Sequence, residues 1–253
     1  MHRIAYPIGG LGNHIRWLCL LSEEYNNFET INGVGFFVNG KMFPFDTDKK
    51  VKFIQENVYP DNRNCFNYIE IELNFKRKIN QYFQTTHYIT DFITDKSPHK
   101  SILVTSTVQN CIKHYFKFHP LWNGNAWKKS DRDVFAQKIL QTNENHIKYT
   151  VNKDEEILLV NSDDLNTEVL NYSFYDRICE FLKISNVYEH ANLCHKLWYD
   201  LQRRSELLLK DFFLNATYPD FPWTTYKDKY ASSNVYSEQD WNEMKNTALE
   251  LYR

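Results

Sequence analysis

The sequence predicts an α/β fold, with a mainly parallel sheet flanked by helices and carrying helical insertions. Two observations predict it. Three short apolar runs, "RIAYPI", "SILVT" and "EEILLV", each lead through a glycine or polar turn into a helical pattern. Strands separated by helical crossovers line up as a parallel sheet. The chain has 253 residues, 42% of them hydrophobic, enough to bury a substantial core. One α/β domain is expected over 1–253, with a hairpin and helical insertion at 30–100 and an aromatic C-terminal segment at 215–253.

The first run, "RIAYPI", reads as a buried strand, followed by the turn "GGLGN". Ile15, Trp17, Leu18, Leu20 and Leu21 then give a largely apolar helix beginning near Ile15. "GVGFFVNGKMFPF" reads as a hairpin turning at Asn39-Gly40. "DTDKKVKFIQENVYP" and the longer "CFNYIEIELNFKRKINQYF" read as helices, the second with a solvated face of charged residues. Ile102 to Val104 form the second strand, Thr105 to Thr107 its turn, and a helix runs from about Val108. After the aromatic loop "HPLWNGNAW", a helix is expected from Asp131 to about Gln141, with Ser130 as its N-cap. Ile157 to Val160 form the third strand. "NTEVLNYSFYDRICEFLKI" is amphipathic, with Leu170, Phe174, Ile178, Phe181 and Leu182 on its buried stripe. A long helix spans Tyr188 to Phe213, and Ser237 with Asp240 resembles a capping box for a last helix.

Composition excludes several classes of function. The formal net charge is −2, which disfavours wholesale nucleic-acid binding, so no nucleic-acid partner is expected. No apolar run approaches membrane-spanning length, and residues 1 to 12 lack a continuous apolar h-region, so a cytoplasmic protein with no membrane partner is expected. The five cysteines, Cys19, Cys65, Cys111, Cys179 and Cys194, are widely spaced with no CxxC pair. They read as free buried thiols, and no metal site is expected. The oligomeric state is not legible.

Ligands of open parallel sheets bind at the carboxyl ends of the strands. That selects the three strand-to-helix turns. In the first, the N–H groups of Gly9, Gly10, Leu11, Gly12, Asn13 and His14, at the start of a helix, suit a phosphate, with Arg16 as a nearby charge. The glycines serve equally well as a tight turn. "GGLGN" is neither GxGxxG nor a Walker A loop. In the second turn, Thr105, Ser106 and Thr107 could hold a second phosphate or simply cap the following helix, and Lys113 and His114 add a basic surface. In the third, Asp163 and Asp164 have no metal-ligand spacing, and a structural hydrogen-bonding role is favoured. His14 and His114 are the candidate acid/base residues, with His87 in reserve.

The arrangement resembles the PAPS-dependent sulfotransferases, a family with a P-loop α/β fold. "ILLVNSDDLNTEVLNYSFYDRICEFLKI" is similar to that family's strand, acidic-Leu pair and helix. The resemblance implies PAPS as donor and PAP as product, with no metal. Gly9 to His14 would cradle the 5′-phosphosulfate, Thr105 to Thr107 would meet the 3′-phosphate, and a sulfonate would pass to a hydroxyl of a small molecule or glycan. "GGLGN" also resembles the opening of fucosyltransferases that use GDP-fucose, which implies a GDP-sugar glycosyltransferase as the alternative. A third reading is non-enzymatic: a catalytically decayed binding or interaction protein, with the aromatic loops around Trp122, Trp127 and Trp223 as a partner or glycan surface.

Overall fold

A computed structural model describes residues 2–20, 22, 24, 29–31, 35–38, 41–44, 83–87, 100–118, 129–151, 157–215 and 238–252. The chain begins with strand β1 (His2–Ala5) and helix α1 (Gly12–Leu20). Three short strands follow: β2 (Glu29–Ile31), β3 (Gly35–Val38) and β4 (Lys41–Pro44). Then come β5 (Phe83–Thr86), β6 (Ser101–Thr105), α2 (Val108–Phe118), α3 (Lys129–Val151) and β7 (Ile157–Asn161). A 3-10 turn, Ser162–Leu165, leads to α4 (Tyr172–Leu182), α5 (Tyr188–Asn215) and α6 (Glu238–Leu251).

Four strands form a parallel sheet in the order β5-β1-β6-β7. Alternation along these strands sorts their side chains into two layers. Ile4, Tyr6, Ile102, Val104 and Val160 join a core with Ile15, Leu18 and Cys19 of α1 and with Phe174, Tyr175, Ile178, Cys179 and Leu182 of α4. Ala5 and Leu103 belong to a second cluster with Ile157, Leu159 and Tyr149 of α3. Strands covered on both faces need near-continuous apolar runs, and Ile102, Leu103 and Val104 supply one, each fully buried. The α/β class expected from the sequence is what the sheet and its flanking helices form.

Several boundaries depart from expectation. Helix α1 starts at Gly12, three residues before Ile15, because a glycine there lets the first turn run under the Tyr6 ring. Phe83, expected to end a helix, opens the parallel strand β5 and is fully buried beside β1. Helix α3 runs on to Val151, well past Gln141, and begins at Lys129, so Ser130 lies inside it and is not its N-cap. Helix α4 begins only at Tyr172, because Asn171 caps it: its side chain accepts from the Phe174 N–H at 3.2 Å. The hairpin forms as β3 and β4, with Val38 opposite Lys41, and β2 adds a third antiparallel strand. Asn39-Gly40, the insertion helices before Phe83, the loop "HPLWNGNAW" and Ser237 lie outside the described residues. No described helix is long and apolar enough to cross a membrane.

Candidate functional site

Strand β1 has β5 on one side and β6 on the other, so the chain reverses its direction of winding at β1. The carboxyl ends of β1 and β6 make the topological switch point, where open α/β sheets take ligands. The first and second turns meet there.

The first turn is closely packed. The Gly10 N–H donates to the Pro7 carbonyl at 2.7 Å, and the Ile15 N–H to that of Leu11 at 3.0 Å. Gly9 has φ +82°, and a Cβ there would lie 2.2 Å from the Cys111 carbonyl oxygen of α2. Gly12 would drive a Cβ to within 1.9 Å of the Tyr6 ring. Two of the three glycines therefore allow backbone to approach a helix and a ring. Helix α1 has no acidic residue in its first turn. The N–H groups of Gly12, Asn13 and His14 have no protein partner among the described residues. First-turn N–H groups lack intrahelical acceptors and carry the positive end of the helix dipole, so an anion is stabilised there.

The second turn is already engaged. Ser106 Oγ donates to Asp163 Oδ1 at 2.6 Å, and the Thr107 N–H donates to Oδ1 and Oδ2 at 3.2 and 3.0 Å. The carboxylate thus lies where a phosphate would sit at the N-terminus of α2. Thr107 Oγ1 accepts from the Asn110 N–H at 3.3 Å, an N-cap contact. Asn143 of α3 brackets Ser106, accepting from its N–H at 3.3 Å and donating to its carbonyl at 2.7 Å. Thr105 Oγ1 donates to the Val160 carbonyl at 3.2 Å. Burial beside Asp163 pushes the Cys111 thiol up to about 12, so it stays protonated.

Behind the first turn lies a buried cluster of imidazoles. His14 of α1 stacks on the Trp198 indole of α5, with centroids 4.2 Å apart and planes 15° apart. His14 Nε2 and His195 Nδ1 are hydrogen-bonded at 3.2 Å, and His195 Nε2 donates to the Thr167 carbonyl at 2.7 Å. His114 of α2 comes to 6.0 Å from the Trp198 ring and bonds through Nε2 to Asn166 Oδ1 at 3.0 Å. All three histidines and Trp198 are buried. Burial, then the neighbouring His195 and His114, hold His14 well below its ordinary value of 6.5, so its ring is neutral at physiological pH. Burial likewise lowers His195, against the opposing pull of the Thr167 carbonyl.

Of the residues singled out in the sequence, Gly9, Gly10, Leu11, Gly12, Asn13 and His14 share the first turn and the start of α1. Arg16 is buried and donates to Thr85 Oγ1 of β5 at 3.3 Å. Lys113 is ion-paired with Glu206 of α5 at 3.3 Å, and His114 is buried, so neither supplies the basic surface expected of them. His87 packs its ring against Tyr6, with centroids 4.5 Å apart, and its Nδ1 donates to the Tyr6 carbonyl at 3.1 Å. Sequence reasoning missed His195 and Trp198. Their signal was an i,i+3 pair on a long helix, which places both on one face. Among the described residues, no group of three or more His, Cys, Asp or Glu is placed to hold a metal ion.

No protein-family model, no curated protein and no solved structure matches the chain.

Proposed function

We propose that this chain is a transferase that holds a nucleotide donor by its phosphates at the N-terminus of α1 and passes the donated group to a hydroxyl of a small molecule or glycan. One observation carries the reading. The N–H groups of Gly12, Asn13 and His14, without a protein partner among the described residues, lie at the switch point of a parallel sheet, on the same helical turn as a neutral imidazole. A neutral His14 can accept the hydroxyl proton as the acceptor oxygen forms its new bond. The bond from the donated group to the nucleotide oxygen then breaks, and its electron pair leaves with the phosphate beside the α1 N-terminus.

Two donors follow from the sequence, and the second turn weighs between them. PAPS carries phosphate at both ends and calls for an anion site at each turn. Here Asp163 takes the donors of Ser106 and Thr107, so a 3′-phosphate would have to displace a carboxylate. A GDP-sugar gathers its phosphates at one locus, and the engaged second turn favours it over PAPS. A cytoplasmic setting belongs to the same proposal, in keeping with the free, buried thiols of Cys19, Cys111 and Cys179.

Calorimetric titration of the purified chain with GDP and with PAP tests this directly. Binding of GDP alone supports a sugar donor, whereas binding of PAP alone restores the sulfonate reading. Silence toward both would overturn the transferase reading and leave an interaction protein.

A further inference from the structure

We propose that His195 is a positioning residue which, with the Thr167 carbonyl, holds His14 as its Nε2–H tautomer and leaves His14 Nδ1 as the unprotonated nitrogen. Its use in group transfer rests on the reading above, but the tautomer itself does not.

One group in the chain of hydrogen bonds is unambiguous, and the rest follow from it. A carbonyl oxygen only accepts, so His195 Nε2, at 2.7 Å from the Thr167 oxygen, carries a proton. A neutral imidazole has one N–H, which leaves His195 Nδ1 as an acceptor. His14 Nε2 lies 3.2 Å from that lone pair and must therefore donate to it. His14 is neutral as well, so its own Nδ1 is bare. The opposite assignment needs either two lone pairs facing each other at 2.7 Å or an imidazolium at His195, which is fully buried. The Trp198 indole stacked on His14 fixes the plane of the ring. No hydrogen bond reaches His14 Nδ1 among the described residues, so this nitrogen is left for a ligand. Such an outer hydrogen bond is what fixes which nitrogen of a histidine works.

Neither nitrogen of His195 has to touch substrate for this role. It sets the chemistry of His14 through one hydrogen bond and takes its own orientation from the peptide at Thr167. A buried imidazole pair arranged in this way presents one lone pair in a defined direction.

Nitrogen-15 histidine NMR on the full, ligand-free chain tests the tautomer, because nucleotide does not enter the measurement. The expected result is a His14 Nε2–H proton with slowed water exchange and a scalar coupling across the hydrogen bond to His195 Nδ1. In His195→Phe the coupling vanishes, the proton exchanges faster, and His14 Nδ1–H becomes populated. A proton on His195 Nδ1, or no coupling between the two rings, would overturn the proposal. So would a His14 signal unchanged in His195→Phe. Should that variant fail to fold, the wild-type spectrum alone still locates the proton. If GDP and PAP both fail to bind while the coupling is present, the transfer reading falls and the positioning role stands.

Discussion

Gly9 and Asp163 both lie against α2, and each invites a single substitution. Gly9→Ala would combine a left-handed backbone with a Cβ pressed against the Cys111 carbonyl, which belongs to a helix and cannot step aside. It should lower stability by about 2–4 kcal/mol, read as a fall in Tm, and a variant as stable as the parent would contradict the packing described. Asp163→Ala removes the acceptor for Ser106 and Thr107 at the start of α2 and should cost about 1–2 kcal/mol. The same variant frees the donors of the second turn. It should therefore bind sulfate or PAP more tightly than the parent in calorimetry, and equal weakness in both would show that the carboxylate was not the obstacle. Asp163 was legible in the sequence as a structural hydrogen-bonding residue, since it follows a strand with no metal-ligand spacing near it. Its partners were not, because Ser106 and Thr107 are more than fifty residues away along the chain. His195 and Trp198 were hidden for a related reason: a histidine on a long helix looks the same whether it meets water or another ring.

The elements were legible in proportion to how local their causes are. Strands β1, β6 and β7 declare themselves through apolar runs, and α4 through its stripe and its Asn171 cap. Strand β5 does not, because "FQTT" has one apolar residue and owes its conformation to pairing with β1. Helix α3 extends beyond its expected end because the residues past Gln141 are mostly polar and carry no stripe to follow. Past Gln141 it is held to the sheet by Tyr149, packed in the second cluster, and by the His146 Nδ1–H bond to the Val104 carbonyl at 2.7 Å. The end of α4 offers a test at this scale. Lys183 is exposed, with φ +60° and ψ +49°, and its N–H reaches the Cys179 and Glu180 carbonyls. The Ile184 N–H also closes on the Cys179 carbonyl at 3.0 Å. Glycine suits that left-handed position, so Lys183→Gly should raise stability by about 0.5–1 kcal/mol in urea unfolding. A loss of stability would mean that the lysine side chain itself holds the turn.

Burial of histidine shapes the molecule as a whole. His14, His87, His146 and His195 all sit below the ordinary value of 6.5, each chiefly because burial disfavours the imidazolium. Above 6.5 the unfolded chain is neutral at these positions too, and their contribution to stability is complete. As pH falls below 6.5, the unfolded chain takes up protons that the folded chain refuses, so stability declines until the lower, folded values are reached. The urea midpoint should accordingly drop between about pH 7 and about pH 5, before the carboxylates titrate. A flat profile across that window would show that these rings are hydrated.

The central place of β1 in the sheet also has a consequence for how the chain is made. Its partners β5 and β6 lie roughly eighty and a hundred residues downstream, so at ribosomal speed β1 waits on the order of five to twenty seconds for a neighbour. The β6–β7 pair closes a shorter loop and can form without it. The glycine turn should therefore settle late, when β1 docks between strands already synthesised, and His14 later still, once Trp198 and His195 of α5 are made. A nascent chain arrested before β6 should expose the apolar residues of β1 and α1 to chaperones, and one arrested after α5 should hide them.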